Sequence, residues 1–157
     1  MLDIKNIILR NLNPSDLDFL YSIENDEKLW KYGSERKYFS KLELEEYILN
    51  SITDIDIDNQ LRFIIDLKNN PIGIIDIFNY KKDSADIGII LQEKYRNQGY
   101  GRQALLLTKV YCLYTLKLKI LFCTISKINT NSIKLFQSIG FKEKSKMGNL
   151  IYYNLRL

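Results

Sequence analysis

The most informative stretch of the chain is Arg96-Asn97-Gln98-Gly99-Tyr100-Gly101, which follows a predicted strand and opens a predicted helix. Its two glycines let the backbone bend and approach a ligand without interference from a Cβ atom. The first amides of a helix have no partner inside it, and with the helix dipole they form an anion site suited to a pyrophosphate. Arg96 and Arg102 flank the stretch and can add charged hydrogen bonds.

Apolar runs and turn signals on both sides of this loop predict the other elements. The strand Ala85 to Leu91 precedes the loop, and the helix Gly101 to Leu116, apolar on most faces, is expected to lie buried against a sheet. Further strands are predicted at Ile4 to Arg10, Leu61 to Leu67, Pro71 to Tyr80, Lys119 to Ser126, Phe141 to Met147 and Ile151 to Leu157. Further helices are predicted from Asn13-Pro14 to Glu24, from Ser40 to Leu49 and from Asn129 to Gly140. The order predicts one mixed α/β domain over residues 1–157.

The composition restricts the chemistry that the chain can perform. It has no histidine, which excludes Ser-His-Asp and Cys-His catalysis and most zinc sites. Cys112 and Cys123 form no C-x-x-C pair, so they predict buried thiols, and no metal is expected. A general base must therefore be a carboxylate, a tyrosine, a lysine or a relayed water.

The sequence also bears on location. No apolar run approaches the roughly 20 residues of a membrane helix. The start, Met1-Leu2-Asp3-Ile4-Lys5, continues directly into a strand-like pattern without a signal-peptide layout. These features predict a cytoplasmic protein with no membrane partner.

The net charge of +4 hides two unlike halves. Residues 1–93 hold 18 acidic and 11 basic residues, a balance of −7, whereas residues 94–157 hold one acid and 12 bases, a balance of +11. One interpretation is a basic half for an anionic ligand and an acidic half for a cationic one; the other is an ordinary solvated surface. Evenly spaced bases do not make a dense patch, so nucleic acid is disfavoured as a partner.

Other phosphate-binding loops fit less well. A P-loop requires Gly-Lys-Ser or Gly-Lys-Thr, which the chain lacks. The run Gly99 to Ala104 does match the dinucleotide pattern G-x-G-x-x-A. That pattern calls for an acid about 20 residues further on, to hold the ribose. Here no acid follows until Glu143, so the dinucleotide interpretation is weak.

Arg96-x-x-Gly99-x-Gly101 resembles the pyrophosphate-binding motif of the GNAT acetyltransferases. Similar blocks follow in the family's order over nearly the whole chain. They are Asn13-Pro14-Ser15-Asp16, Ile72 to Asp76, Asp86 to Leu91, Asn129-Thr130-Asn131-Ser132, Leu135-Phe136 and Gly140-Phe141. The resemblance is greatest to the polyamine, amino-sugar and ribosomal-protein N-acetyltransferases.

The resemblance implies a twisted mixed sheet of six or seven strands flanked by about four helices, with acetyl-CoA in a slot between the splayed strands 85–91 and 119–126. It implies main-chain pairing of residues 89–91 with the pantetheine and binding of the pyrophosphate by the amides of residues 98–102. It also implies that Asn129 hydrogen-bonds the pantetheine and that Phe136 packs near the thiol. The implied cofactor-binding residues are Ile89, Ile90, Leu91, Arg96, Asn97, Gln98, Gly99, Tyr100, Gly101, Arg102, Asn129 and Phe136.

One residue departs from the family pattern. Many members carry a tyrosine at the position of Phe136, and that tyrosine protonates the departing thiolate. Phenylalanine cannot, so Tyr152, Tyr153 or water would have to serve. A second hypothesis is therefore a GNAT-fold CoA-binding module with little activity.

Three acidic residues are candidates for the general base that deprotonates an amine: Asp76, which interrupts an apolar strand, Asp86, and Glu24. Each could equally be a solvated surface carboxylate. Trp30 and Tyr32, next to Gly33, could line an acceptor pocket or pack in the core. The acceptor is predicted to be a small-molecule or peptide amine, and a homodimer stays open.

Overall fold

The computed structural model describes residues 6–30, 37–51 and 54–157. Within these residues the strands are β1 (Ile7–Arg10), β2 (Leu61–Leu67), β3 (Asn70–Phe78), β4 (Ser84–Leu91), β5 (Ile120–Ser126), β6 (Lys142–Met147) and β7 (Leu150–Arg156). They form a seven-stranded sheet in the order β1-β2-β3-β4-β5-β7-β6. Strands β4 and β5 run parallel, and the other neighbours are antiparallel. The predicted mixed sheet is confirmed.

The described residues also form six α-helices: α1 (Leu17–Glu24), α2 (Glu27–Trp30), α3 (Lys41–Leu49), α4 (Ile55–Asp58), α5 (Tyr100–Tyr114) and α6 (Thr130–Ser138). Four of them were predicted. Helices α2 and α4 were not, because four residues are too few to show a helical period. Tyr32, Gly33 and the first residues of the predicted strand from Ile4 lie outside the described part, as does the side chain of Trp30.

Each face of the sheet is covered by its own pair of helices. Helices α1 and α3 cover one face, through a core that includes Leu20, Leu44 and Ile74. Helices α5 and α6 cover the opposite face, where Leu105 and Phe136 belong to a larger apolar core. Because successive residues of a strand point to opposite faces, the even-numbered residues of β2 and β4, and those of β3 from Ile74 onward, lie on the α1/α3 face.

An ion-pair cluster anchors the start of α1 to the sheet; we call it the Arg10 cluster (Arg10, Asp16 and Asp66). Arg10 donates from both terminal nitrogens to the two Asp16 oxygens at 2.8 Å, and from Nε to Asp66 Oδ2 at 2.7 Å. Asp16 also accepts from the Asn13 amide, and Asp66 accepts from the Asn69 amide. The cluster therefore ties β1, β2 and the turn before α1 together.

A β-bulge sets the register between β2 and β3. Leu67 pairs with Asn70 and Asp66 with Pro71, but Ile65 pairs with Gly73, so Ile72 is the extra residue. From there on the pairing is shifted by one residue, which changes the face on which every later β3 side chain meets β2. Arg62 consequently lies opposite Asp76.

Candidate active site

The two parallel strands of the sheet separate along their length. Their pairing covers Ser84, Ala85 and Asp86 of β4 against residues 120–122 of β5, and then ends. Strand β4 continues to Leu91, still paired with β3 on its other side. The β5-facing edge of β4 from Ile87 onward therefore borders an opening in the sheet, and the predicted splay is confirmed.

A cleft of about 520 Å³ occupies this opening. Its walls come from β4, β5, the start of α5 and the start of α6. Ten of the twelve predicted cofactor-binding residues line it: Ile89, Ile90, Leu91, Arg96, Asn97, Gly99, Gly101, Arg102, Asn129 and Phe136. Residues that the sequence did not single out also line it, among them Thr124, Ser126 and Ser132. Their positions in the sequence could have indicated this, because Thr124 and Ser126 belong to β5, the second strand of the slot, and Ser132 lies beside the N-cap of α6.

The loop before α5 has the conformation that its composition predicts. Gly99, at φ 89°, and Asn97, at φ 59°, lie in the left-handed region. Gly99 is the N-cap of α5. A Cβ at Gly101 would lie 3.1 Å from a Leu135 methyl and 3.2 Å from a Leu91 methyl, so glycine allows the start of α5 to approach α6 and β4 closely. The start of α5 thus borders the cleft, and the first amides of a helix point away from its own hydrogen-bond ladder.

The two arginines of the loop differ in their contacts. Arg96 donates from Nε to the Leu91 carbonyl at 3.0 Å, so it fixes the end of β4 while it lines the cleft. Arg102 is exposed and lines the cleft from the first turn of α5. Both cations lie beside the helix amides, where the dipole also favours an anion.

Gln98 and Tyr100 are not part of the cleft wall as far as the structure describes it. The Gln98 side-chain amide donates to the Lys94 carbonyl at 2.7 Å. The Tyr100 ring packs edge-on against Tyr95, with 6.1 Å between the centroids. Both side chains therefore support the loop, and their main-chain amides remain the groups to consider for binding.

Asn129 and Phe136 combine structural contacts with positions in the wall. The Asn129 side chain caps α6 by accepting from the Ser132 amide at 3.3 Å. Phe136 is 3% exposed and packs edge-on against Phe141 at 5.1 Å between centroids. Phenylalanine thus fills the wall position where the family pattern has tyrosine.

The other groups proposed for proton transfer to the thiolate lie elsewhere. The described cleft wall contains neither Tyr152 nor Tyr153. Tyr153 is buried in the α5/α6 core, and this burial raises its pKa. Cys112 and Cys123 are both free and buried, as predicted. Burial raises the pKa of Cys112 to about 12, and it also raises the pKa of Cys123, which lines the cleft.

Two of the three candidate bases meet at one arginine, which the sequence did not single out. Arg62 donates from Nε and Nη2 to the two oxygens of Asp76, at 2.6 and 3.0 Å, and from Nη1 to Glu24 Oε1. The Tyr47 ring lies 5.5 Å from the guanidinium carbon. We call these four residues the Arg62 cluster. Burial lowers the pKa of Arg62, but Asp76 and its neighbours outweigh it and the pKa is raised.

The third candidate, Asp86, is separate from this cluster. Its Oδ2 accepts from the Asn79 side-chain amide at 2.8 Å. It lies near the end of the paired part of β4, opposite Phe78 of β3 and Phe122 of β5. None of the three candidate carboxylates is in the described cleft wall, but Gly88, which is in that wall, pairs with Asp76.

Among the residues that the structure describes, no group of three or more cysteine, aspartate or glutamate side chains is arranged to hold a metal ion. None of the helices described is long and apolar enough to cross a membrane.

Comparison with known proteins gives the same answer as the fold and the cleft. The family model for the acetyltransferase (GNAT) domain matches residues 6–142. The chain is 27% identical, over 153 residues, to a spermidine N(1)-acetyltransferase of Vibrio cholerae, covering 96% of this chain and 87% of the relative.

Solved structures agree in fold. Spermidine N-acetyltransferase from Vibrio cholerae, in complex with CoA and spermine, superposes with a TM-score of 0.85 at 22% identity, covering 96% of this chain and 95% of that one. Ribosomal-protein-S5-alanine acetyltransferase from Vibrio fischeri also has a TM-score of 0.85, at 17% identity, covering 99% and 95%.

The chain belongs to the GNAT acetyltransferase family. It is an acyl-CoA-dependent N-acetyltransferase, an enzyme that transfers an acetyl group to an amine. The resemblance that the motif predicted is confirmed, and the relatives come from two of the branches that it named.

Proposed function

We propose that the protein transfers the acetyl group of acetyl-CoA to a primary amine of a polyamine, by direct attack within a ternary complex. The observation that carries the proposal is the separation of β4 from β5 beside the start of α5. This arrangement places a strand edge that β5 does not pair next to the N-terminus of a helix, which suits a ligand with an amide-containing arm and a pyrophosphate.

In this proposal the arm of acetyl-CoA lies along β4, where main-chain groups of residues 89–91 pair with its amides. The pyrophosphate is held by the amides of residues 98–102, with Arg96 and Arg102 contributing charge. Asn129 uses its remaining hydrogen-bonding capacity on the arm, and Phe136 packs near the sulfur. The fit is supported by a cleft that nine of these residues line.

The proposed acceptor is cationic. Two or more ammonium groups on a polyamine are attracted by the acidic half of the chain. The described relatives named for spermidine acetylation support the same acceptor class. An amino sugar and a basic peptide represent the other two acceptor classes, so they form the comparison set for the assay.

The reaction needs no covalent enzyme intermediate. The neutral amine nitrogen attacks the thioester carbonyl carbon, a C–N bond forms, and the C–S bond breaks to release the CoA thiolate. The proton lost by the amine passes, through water, to Asp76. The thiolate takes its proton from water, because Phe136 has none to give. Main-chain amides of β4 near the carbonyl stabilise the oxyanion.

A second candidate function is a CoA-binding module with little turnover, and the side chain at position 136 favours it. The Phe136→Tyr variant separates the two. If water limits protonation of the thiolate, the variant raises kcat; if the protein is a binding module without an acceptor site, the variant stays inactive while its affinity for CoA is retained.

The direct test measures the melting temperature with acetyl-CoA and the release of thiol with spermidine, spermine, an amino sugar and a basic peptide. A ligand that binds only the native state adds about 2.7 kcal/mol to the free energy of unfolding when its concentration is 100-fold its Kd, and it therefore raises the melting temperature. We expect this rise, and turnover that is fastest with a polyamine. No rise at saturating acetyl-CoA would sink the proposal.

A matched pair of variants locates the cofactor. Arg102→Ala removes an exposed cation from the cleft wall, and Arg156→Ala removes an exposed cation from the far end of β7. We expect Arg102→Ala to raise the KM for acetyl-CoA about tenfold, equivalent to about 1.4 kcal/mol. Arg156→Ala should leave that KM within about twofold. Equal effects would mean that charge at a distance, rather than contact, governs binding.

A further inference from the structure

The Arg62 cluster brings together side chains from four elements on the α1/α3 face. Arg62 comes from β2, Asp76 from β3, Glu24 from the last position of α1, and Tyr47 from α3. Side chains from α1, α3 and β3 thus contact the guanidinium of Arg62, and this guanidinium holds both carboxylates in position.

The hydrogen bonds of the Arg62 cluster leave one carboxylate oxygen able to accept a further donor. Both Asp76 oxygens accept from Arg62, which fixes the plane of that carboxylate. Glu24 accepts through Oε1, and its other oxygen has no hydrogen-bond partner among the described residues. Two carboxylates against one guanidinium also leave one net negative charge. The cluster can therefore accept a hydrogen bond and a positive charge from outside.

The cluster adjoins the cleft through Gly88. Asp76 pairs with Gly88 across β3 and β4, and Gly88 lines the cleft. A Cβ built at Gly88 would lie 3.9 Å from the Asp76 Cβ and 3.7 Å from the Phe78 ring, so Asp76 and Phe78 border the face of Gly88 that carries no side chain. Neighbouring strands are about 4.8 Å apart, which places Asp76 one strand from the cleft wall.

We propose that Arg62 is a positioning residue for the acceptor amine: it fixes Asp76 and Glu24 beside Gly88, and so presents one uncompensated negative charge at the opening of the cleft. The inference rests on the proposed function and extends it to a residue that does not touch the reacting atoms. Acceptors that carry a second positive charge, such as diamines and longer polyamines, are favoured at this position over monoamines.

The Arg10 cluster supplies a matched control. Arg10 also holds two carboxylates from different elements on the same face, at the opposite end of α1. Arg10→Lys and Arg62→Lys each keep the charge and lose the planar fork of the guanidinium. Both variants should lower the melting temperature, so their kinetics are compared well below it, at equal concentrations of folded enzyme.

The experiment measures kcat and KM for spermidine and for acetyl-CoA in native protein and both variants. We expect Arg62→Lys to lower kcat/KM for spermidine about tenfold, equivalent to about 1.4 kcal/mol, with the KM for acetyl-CoA unchanged. We expect Arg10→Lys to leave both constants within about twofold. If the two variants lose the same activity, Arg62 is merely structural and the inference is overturned.

Glu24→Gln decides the matter if Arg62→Lys does not fold. The glutamine oxygen still accepts from Arg62, while the excess negative charge is removed. We expect a higher KM for spermidine than in native protein, whereas the KM values for butylamine and for acetyl-CoA stay unchanged. An unchanged KM for spermidine overturns the inference. If the native protein binds acetyl-CoA but acetylates no amine, the proposed function itself fails, and the inference fails with it.

Discussion

The two ends of α1 are held by arginines in nearly the same way, but the carboxylates around them differ in exposure. The side chains of Arg10 and Arg62 have similar exposed fractions, 22% and 19%. In the Arg10 cluster the carboxylate side chains are 1% and 5% exposed. In the Arg62 cluster they are 20% and 29% exposed. One cluster is closed to solvent, and the other is open.

The hydrogen bonds follow the same division. Asp16 and Asp66 each accept a main-chain amide in addition to Arg10, so the closed cluster has little capacity left. In the open cluster, Asp76 and Glu24 accept from Arg62 and from no main-chain donor among the described residues. A closed, saturated ion-pair cluster serves the fold, whereas an open, unsaturated one next to a cleft is suited to a ligand.

The largest effect is expected in the closed cluster. Asp16→Ala removes a buried partner and leaves Arg10 and the Asn13 amide with an unmet interaction, which should lower the free energy of unfolding by about 3 kcal/mol. Urea unfolding measures this change, and kcat/KM at low temperature should be unchanged. Asp18→Ala is the control, because Asp18 lies in the first turn of the same helix but its side chain is 88% exposed and pairs with Lys41. This variant should lose less than about 1 kcal/mol. Equal losses would contradict the distinction between the clusters.

The sequence could predict most of the elements but not the open cluster. Glu24 and Asp76 were each candidates, and Arg62 was not, because the contact depends on strand register. Counting from the turn that pairs Leu67 with Asn70 places Arg62 opposite Ile75. The bulge at Ile72 moves it to Asp76, and a bulge has no reliable sequence signal.

The cleft was easier to predict, because its residues are close in sequence and its glycines have a local conformational purpose. Gly99 and Gly101 could be interpreted from the loop alone, as could the N-cap Asn129. The side chains of Gln98 and Tyr100 contact local partners instead of the cleft. The sequence pattern of the loop does not show which of its residues face the cleft with their side chains.

The next largest effect separates two candidate bases. Asp76→Asn should lower kcat/KM for spermidine about 100-fold, the lower end of the range for general base catalysis. Its stability loss should be smaller than that of Asp16→Ala, because the site is open. Asp86→Asn on the adjacent strand is the control and should change kcat/KM by less than about threefold. A larger loss in Asp86→Asn than in Asp76→Asn would move the base to Asp86. Both are measured by thiol release with the same amine.

Salt should distinguish the clusters more subtly. The screening length falls from about 10 Å at 0.1 M to about 3 Å at 1 M, and exposed charges are screened far more than buried ones. We expect the KM for spermidine to rise about threefold across this range, relative to the KM for butylamine, while the stability difference between native protein and Asp16→Ala stays constant. If the KM ratio does not depend on salt, the open cluster does not bind a second charge.

The smallest effect is expected from the aromatic ring of the open cluster. Tyr47→Leu removes the ring beside the Arg62 guanidinium and should lower the free energy of unfolding by about 0.5 kcal/mol, the value for a partly exposed cation–π contact. The KM for spermidine should rise by less than about twofold, because the three charged residues keep their hydrogen bonds. Tyr21→Leu is the control: its ring lies 5.3 Å from Lys41 Nζ, away from the cluster, and should leave the KM unchanged. A loss in kcat/KM as large as that of Arg62→Lys would mean that the ring, rather than the ion pairs, holds Arg62 in place.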